Sequence, residues 1–462
     1  MNPFESPRKR LPRLVALAPR RTGPLKLRRF AFAWATAALV FSAAAADKVY
    51  LDINAPTLKK IPLAVPALRH EGGDVGQAHI EVAETLRRDL GLAGLFEVLN
   101  PQSFLEDPQR TPVQPDAPSY ADWVAIGAEV LTKGQVARKG DLLSAELWMY
   151  DVLRRQELFP GRRYDAPPEK ARFVAHMFAN TVLEELTGTP GPFGTRIAYI
   201  VQEGRAKELA MAGMDGGEPV RLTRTGSISL SPSWSMDGRY LYYVSYMRGD
   251  PDLYLMDLTT WKHWVVSREK GINLSGKDSP DGAELLLVLS KEGNSEIYRM
   301  DKSTRKTVRL TTNPSIDVSP TWSPDGKRIA FVSDRAGNPH IFVMDRDGGG
   351  ARRITLSGSH NGDPDWSPKG DLIAFTGKDE RSVFQVYTVD PNGQKMQQLT
   401  FGGYDTLDPS WSPDGRFLAV TSNREGRNAI YLMRLGSSEY HRVSARGEDA
   451  TQPTWCRAFP SP

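Results

Sequence analysis

A chain of 462 residues is long enough for two or three domains, and its single cysteine, Cys456, excludes an intramolecular disulfide and a cysteine-built metal cluster. The net charge of +4 is unevenly placed: nine basic residues and one acid fall within residues 1–29, so residues 47–462 carry −4, which argues against nucleic acid or an anionic membrane surface as the main partner. After position 46 no apolar run reaches the ~18–20 residues of a membrane-spanning helix.

The basic stretch leads into "FAFAWATAALVFSAAAA" (Phe30 to Ala46), an apolar run that ends in small residues. Basic, then apolar, then small is the layout of a secretory signal peptide. Ala44 and Ala46 fit the cleavage rule, so residues 1–46 are expected to be the signal and Asp47 the first mature residue. Residues 47–188 are expected to form a small α/β domain. "KVYLDI" and "KIPLAVPAL" read as strands, and "GQAHIEVAETLRRDLGL" as a helix with Ile80, Ala83, Leu86 and Leu90 on its apolar face and Gly91 just past its end. "FEVLN" reads as a strand, Pro101 to Pro118 as a loop, and "DWVAIGAEVL", "GQVARKGDLLSAELWMYDV" and "QELFPGRRYD" as three strands of a meander. "PPEKARFVAHMFANTVLEELTG" opens with proline as helices tolerate, with Phe173, Met177, Val182 and Leu186 on one face. The Gly/Pro-rich residues 189–194 form the expected linker to a second domain, 195–462.

That second domain is repetitive. Tryptophan recurs at Trp234, Trp322, Trp366, Trp411 and Trp455 within flanks such as "LSPSWSMDG", "VSPTWSPDG" and "LDPSWSPDG". The steps are 88, 44, 45 and 44, and the copy missing from the first step falls at Asp278, inside "GKDSPDG". A second marker, the apolar strand after the turn, recurs near Ile197, Leu241, Leu285, Ile329, Ile373 and Leu418. A period of ~40–45 residues holding four short strands is that of a propeller blade. In the copy from Ser319, "PTW" is read as the inner strand, "SPDG" as a tight turn, and "KRIAFVS", "HIFVMD" and "ARRIT" as the strands that follow. The first copy lacks a Trp element and the last has little else. Pro453 to Phe459 is therefore expected to pair beside Ile197 and close a six-bladed ring. The fold class expected is mainly β: an α/β N-terminal domain followed by a six-bladed β-propeller of WD40-like (PD40) repeats.

Catalytic motifs are missing from the sequence. It has no G-x-S-x-G and no H-E-x-x-H, and its glycine-rich "DGGEP" and "DGGGA" fall where hairpin turns explain them. No enzyme, cofactor or metal site is expected, and the tryptophans read as blade core. Binding is the remaining chemistry. The loops entering the inner strands of a propeller open onto one mouth of its channel. Ile228, Ile272 and Ile316 stand six residues before their Trp slots, a place His360 takes in the next copy. With Asn273, Asp317, Asn361, Tyr404, Asp405 and Asp449 they would make an amphipathic rim. The competing reading is that the isoleucines plug the channel and the polar residues make turns.

Signal peptide, strand-first α/β domain and six "W-S-P-D-G-x-x-[IL]-A-[FY]" repeats together resemble the TolB family, periplasmic propeller proteins of the Tol-Pal envelope system. "KVYLDINAPTLKKIPLAVPAL" directly after the signal is the more specific part of the likeness. The resemblance implies a monomeric, non-catalytic periplasmic protein. It implies binding of the peptidoglycan-associated lipoprotein Pal at one propeller face, on the loops just named. It also implies that the N-terminal peptide Asp47, Lys48, Val49, Tyr50, Leu51, Asp52, Ile53 and Asn54 is offered to TolA, in support of outer-membrane integrity and constriction at cell division. Gly271-Ile272-Asn273 and the missing Trp at Asp278 depart from the pattern. Outside the family, the same repeats would suit an envelope sensor with a ligand in its channel, or the accessory propeller of a hydrolase.

Overall fold

The computed structural model describes residues 59–111, 113 and 119–459, all within one compact unit, 51–462. The expected signal peptide, the strand read in "KVYLDI" and the peptide Asp47–Asn54 lie outside the described residues.

The N-terminal part is a mixed sheet with two long helices packed on it. Strand β1 (Ile61–Ala64) lies parallel to both β3 (Phe96–Val98) and β4 (Val130–Lys139), and the short β2 (Arg69–His70) also joins β4. From β4 the chain runs as an antiparallel meander through β5 (Leu142–Asp151) and β6 (Gln156–Ala166). The meander is therefore real, but its turns fall elsewhere than the sequence pattern suggests. "DWVA" belongs to a short helix, α2 (Tyr120–Ala125), where the Trp123 indole donates to Glu106 Oε2 at 2.7 Å. The long "GQVARKGDLLSAELWMYDV" segment is split by a hairpin at Gly140, whose φ of 63° supplies the left-handed turn.

Helix α1 (Ala78–Leu92) buries Val82, Ala83, Leu86 and Leu90, while Ile80 is turned outward and Gly91 sits inside the helix. Helix α3 (Ala171–Thr187) buries Val174, Phe178 and Val182; Phe173, Met177 and Leu186 are only its flanks. Its C-cap is Gly188 at φ 77°, the left-handed stop that glycine makes cheaply.

From Arg196 onward, the described residues form six four-stranded sheets arranged as blades. Blades 1 to 5 span residues 229–267, 273–309, 317–353, 361–398 and 406–442. Blade 6 is composite. Its inner strand is the last of the chain, Ala450–Trp455, paired antiparallel with Arg196–Glu203, with Trp455 opposite Ile197. Closure thus joins the two ends of the array, by a strand that starts three residues earlier and ends four earlier than the sequence pattern suggests. No sheet edge is left at the seam. The N-terminal helices share one continuous core with blades 5 and 6, including Leu90, Phe178, Leu183, Ile197, Phe417, Leu432 and Trp455. Phe193, between α3 and the first blade strand, is fully buried in that core, with its N–H and C=O both bonded to the Asn180 side chain.

Candidate functional site

Every inner strand carries the same irregularity. Its third residue has left-handed φ: Ser231 (50°), Ser275 (59°), Ser319 (51°), Asp363 (50°), Asp408 (52°) and Gln452 (55°). The ladder to the second strand skips at this point in each blade. In five of the six, proline follows, and a bulge is where a strand tolerates a residue with no N–H to give. These residues line a waist of about 140 Å³ in the channel. Asp408 Oδ2 there accepts from Thr421 Oγ1 (2.8 Å) and the Gln452 N–H (3.2 Å), and Gln452 Oε1 accepts from the Ser231 N–H (2.9 Å). Burial pushes the carboxyl of Asp408 above its ordinary range, and burial together with the charge of Asp408 raises that of Asp363 to about 7. The sequence pattern shows the waist only as the residue before each "P-x-W", and it was not foreseen as a feature.

The upper mouth is formed by the loops entering the inner strands. Each is tied to the loop after the second strand of its blade: in five, the carbonyls of Ile228, Ile272, His360, Asp405 and Asp449 accept from the N–H groups of Tyr246, Ser290, Lys378, Asn423 and Gln202, and in blade 3 the Ile316 N–H donates to Asp334 Oδ1 at 2.9 Å. The rim residues expected from sequence separate into two layers here. Asn273, Asp317 and Asn361 are buried and their hydrogen bonds are made internally. Asn273 Oδ1 accepts from Ser267 Oγ (2.7 Å) and the Glu269 N–H (2.8 Å); Asp317 is ion-paired with Arg335 at 2.8 Å and accepts from Asn313; Asn361 donates to the Ser357 carbonyl at 2.9 Å. They hold the rim up from beneath.

The upper layer is the surface proper. Ile316 is 50 % exposed, His360 packs edge-on against Phe384, and Tyr404 lies under the Arg424 guanidinium, whose Nη2 donates to its hydroxyl at 3.1 Å. Ile272 is partly covered; Asp405 accepts from the Phe384 N–H and Asp449 from Asn428. Burial, with Lys378 close by, lowers the pKa of His360, so its imidazole is neutral near pH 7. Two residues were missed by the sequence reading, Leu356 (74 % exposed) and Phe401 (64 %). Each stands two places beyond an aliphatic residue, Ile354 and Leu399, that directly follows the last strand of its blade, but the same register in the other blades holds Arg224, Arg268, Thr312 and Ala445, so no repeating signal marks them.

The lower mouth is built from the turns after the tryptophans. Beside it sits the N-terminal domain: Arg416, just past the turn of blade 5, donates to Thr187 Oγ1 at 2.6 Å and also reaches Thr189, and Asp215 of blade 6 is ion-paired with Arg88 (3.0 Å) and Arg172. The upper mouth therefore faces away from the N-terminal domain. Among the described residues, no group of His, Cys, Asp and Glu side chains is placed to hold a metal ion, and no helix is long and apolar enough to cross a membrane.

Residues 49–158 match the family described as the TolB amino-terminal domain, and residues 183–407 the TolB beta propeller domain. The chain is 40 % identical over 222 residues to the Tol-Pal system protein TolB of Desulfosudis oleivorans, covering 48 % of this chain and 50 % of that one. It is 33 % identical over 248 residues to the Tol-Pal system protein TolB of Methylobacillus flagellatus, covering 54 % and 56 %. The chain thus spans about half the length of the curated relatives it matches. A crystal structure of TolB from Acinetobacter baumannii is similar with a TM-score of 0.75 and 28 % identity, over 86 % of this chain and 97 % of that one. Two TolB domain matches in the same order as the two parts of the fold leave one conclusion, that the chain belongs to the TolB family.

Proposed function

We propose that this protein is a non-catalytic, periplasmic binding component of the Tol-Pal system. It takes Pal on the upper mouth of the propeller and offers residues 47–54 to TolA, so linking the two in support of outer-membrane integrity and constriction at division. The observation that carries the reading is the upper mouth itself. It faces away from the N-terminal domain and presents Ile316, Leu356 and Phe401 to solvent around polar His360 and Tyr404, the mixture of apolar anchors and polar partners that a protein interface uses. Membership of the TolB family supports Pal and TolA as the partners.

Calorimetric titration of residues 47–462 with the soluble domain of Pal tests this. Saturable one-to-one binding is expected, weakened at least tenfold by Phe401→Ala or Ile316→Asp. Absence of heat at tens of micromolar, or binding untouched by both substitutions, would overturn the assignment of the face. Deleting residues 47–54 should abolish binding of TolA and leave that of Pal intact.

A further inference from the structure

The lower mouth holds a cavity of about 240 Å³, more than ten times the ~10–15 Å³ that admits a single water. At one register of the six inner strands, just inside this cavity, stand Ser233, Lys277, Thr321, Asp365, Ser410 and Thr454. Four are short hydroxyls. Asp365 is already engaged, accepting from the Trp411 N–H at 2.8 Å and from Arg457 at 3.3 Å. The acid next to Lys277 in sequence, Asp278, is likewise engaged by Lys302 at 2.9 Å and by the Tyr242 hydroxyl at 2.9 Å. Lys277 alone is left over. It borders both the lower cavity and the waist, and among the described residues it makes no ion pair. The hydroxyls can accept from its ammonium but carry no charge, and Arg457 is itself a cation, so neither neutralises it. With Arg457 also on the wall, the cavity has an excess of positive charge once Lys302 has cancelled Asp278.

We propose that the lower cavity is a binding site for one small oxyanion, a carboxylate or a phosphate, held by Lys277 with hydroxyl donors from the same ring. An unpaired charge in a channel wall is costly, and a bound anion removes that cost. Burial lowers the pKa of Lys277, against the weaker pull of Asp365, so an anion that restores its charge would be released as the solution becomes alkaline. Asp363 and Asp408 at the waist repel an anion approaching from above, so access is from the lower mouth. The site exists because this chain places Lys277 where four other blades place Ser or Thr.

The test is titration of residues 47–462 with sodium phosphate and with sodium formate at constant ionic strength, followed by calorimetry and by the melting temperature. The comparison is with Lys277→Thr, which installs the residue blade 3 carries at this register, and Lys277→Arg, which keeps the charge. Saturable binding with a rising melting temperature is expected for the wild type, retained within a few-fold by K277R and weakened at least tenfold by K277T. Should K277T fail to fold, K277M serves the same comparison. Absence of saturable binding to the wild type, or equal binding by the lysine-free variant, overturns the proposal. Phosphate binding without formate binding, or the reverse, identifies which oxyanion the cavity takes.

Discussion

Asp363 holds its left-handed backbone in the inner strand of blade 4, and its side chain is exposed only to the channel, at a waist lined by the other inner strands. Burial is the larger cause of its raised pKa and the charge of Asp408 the smaller, against a hydrogen bond from Thr376. A carboxyl raised from 3.8 to about 7 takes up its proton more readily in the folded chain than in the unfolded one. Its charge therefore penalises the fold: stability falls as pH rises from ~4, and the whole penalty is present above ~7. Asparagine tolerates left-handed φ and carries no charge. Asp363→Asn should accordingly raise the melting temperature at pH 8 by more than at pH 5. An equal difference at the two pH values would show that the carboxyl is not held in this way.

At the scale of the element, the blades are matched in pairs by size. The second strand of each blade places one residue against the Trp slot of the next: Ala198 shares a core with Trp234, Leu286 with Trp322, Ala330 with Trp366, Ala374 with Trp411 and Ala419 with Trp455. In the sixth pair the sizes are exchanged. Tyr242 is the large partner and Asp278 the small one, joined by the 2.9 Å hydrogen bond. Gly276 belongs to the same exchange, because a Cβ there would meet Tyr242 Cβ at 2.8 Å. Asp278 thus keeps the ring continuous where Trp234, Trp322 and Trp411 do so by donating their indole N–H to the inner-strand carbonyl of the preceding blade. Asp278→Trp should destabilise despite restoring the repeat, by ~1–3 kcal/mol from overpacking against Tyr242. Adding Tyr242→Ala should recover part of the loss, which a denaturant double-mutant cycle reads directly; simple additivity would refute the matched pairs. The period, the closing strand and the vacancy at 278 were legible because each repeats or fails to repeat at a fixed spacing. Tyr242 was not, since its partner lies 36 positions away. The strand misread over "DWVA" has the same origin: a short apolar run fits helix and strand alike, and only its packing decides. At the rim, sequence spacing found Ile316 and His360 but could not show that Asn273, Asp317 and Asn361 point inward.

At the scale of the molecule, one core runs from the helices α1 and α3 into blades 5 and 6, so the two parts should unfold together in a single transition. Asp215 is the polar counterpart of that core. It is buried in a turn of blade 6 and receives Arg88 from α1 and Arg172 from α3, as well as the Gly217 N–H at 3.0 Å. Burial opposes its charge, but Arg172, the Gly217 amide and Arg88 outweigh it and hold its pKa below the ordinary value of 3.8. A depressed carboxyl contributes stability that is complete above the unfolded pKa and is lost as pH falls through the folded one. Removal of one partner from a fully buried ion pair costs ~3–5 kcal/mol, and these arginines keep some water contact, so Asp215→Ala should cost about 2–3 kcal/mol at pH 7. The gap between wild type and variant should then narrow as pH is taken from 7 toward 2. A gap that stays constant over that range would mean that the ion pairs contribute nothing and that the shared apolar core alone joins the two parts. Because Asp215 lies on the side of the propeller away from the upper mouth, the same substitution should leave binding of Pal, as proposed above for that mouth, within about twofold of wild type, which separates a loosened joint from a damaged binding face.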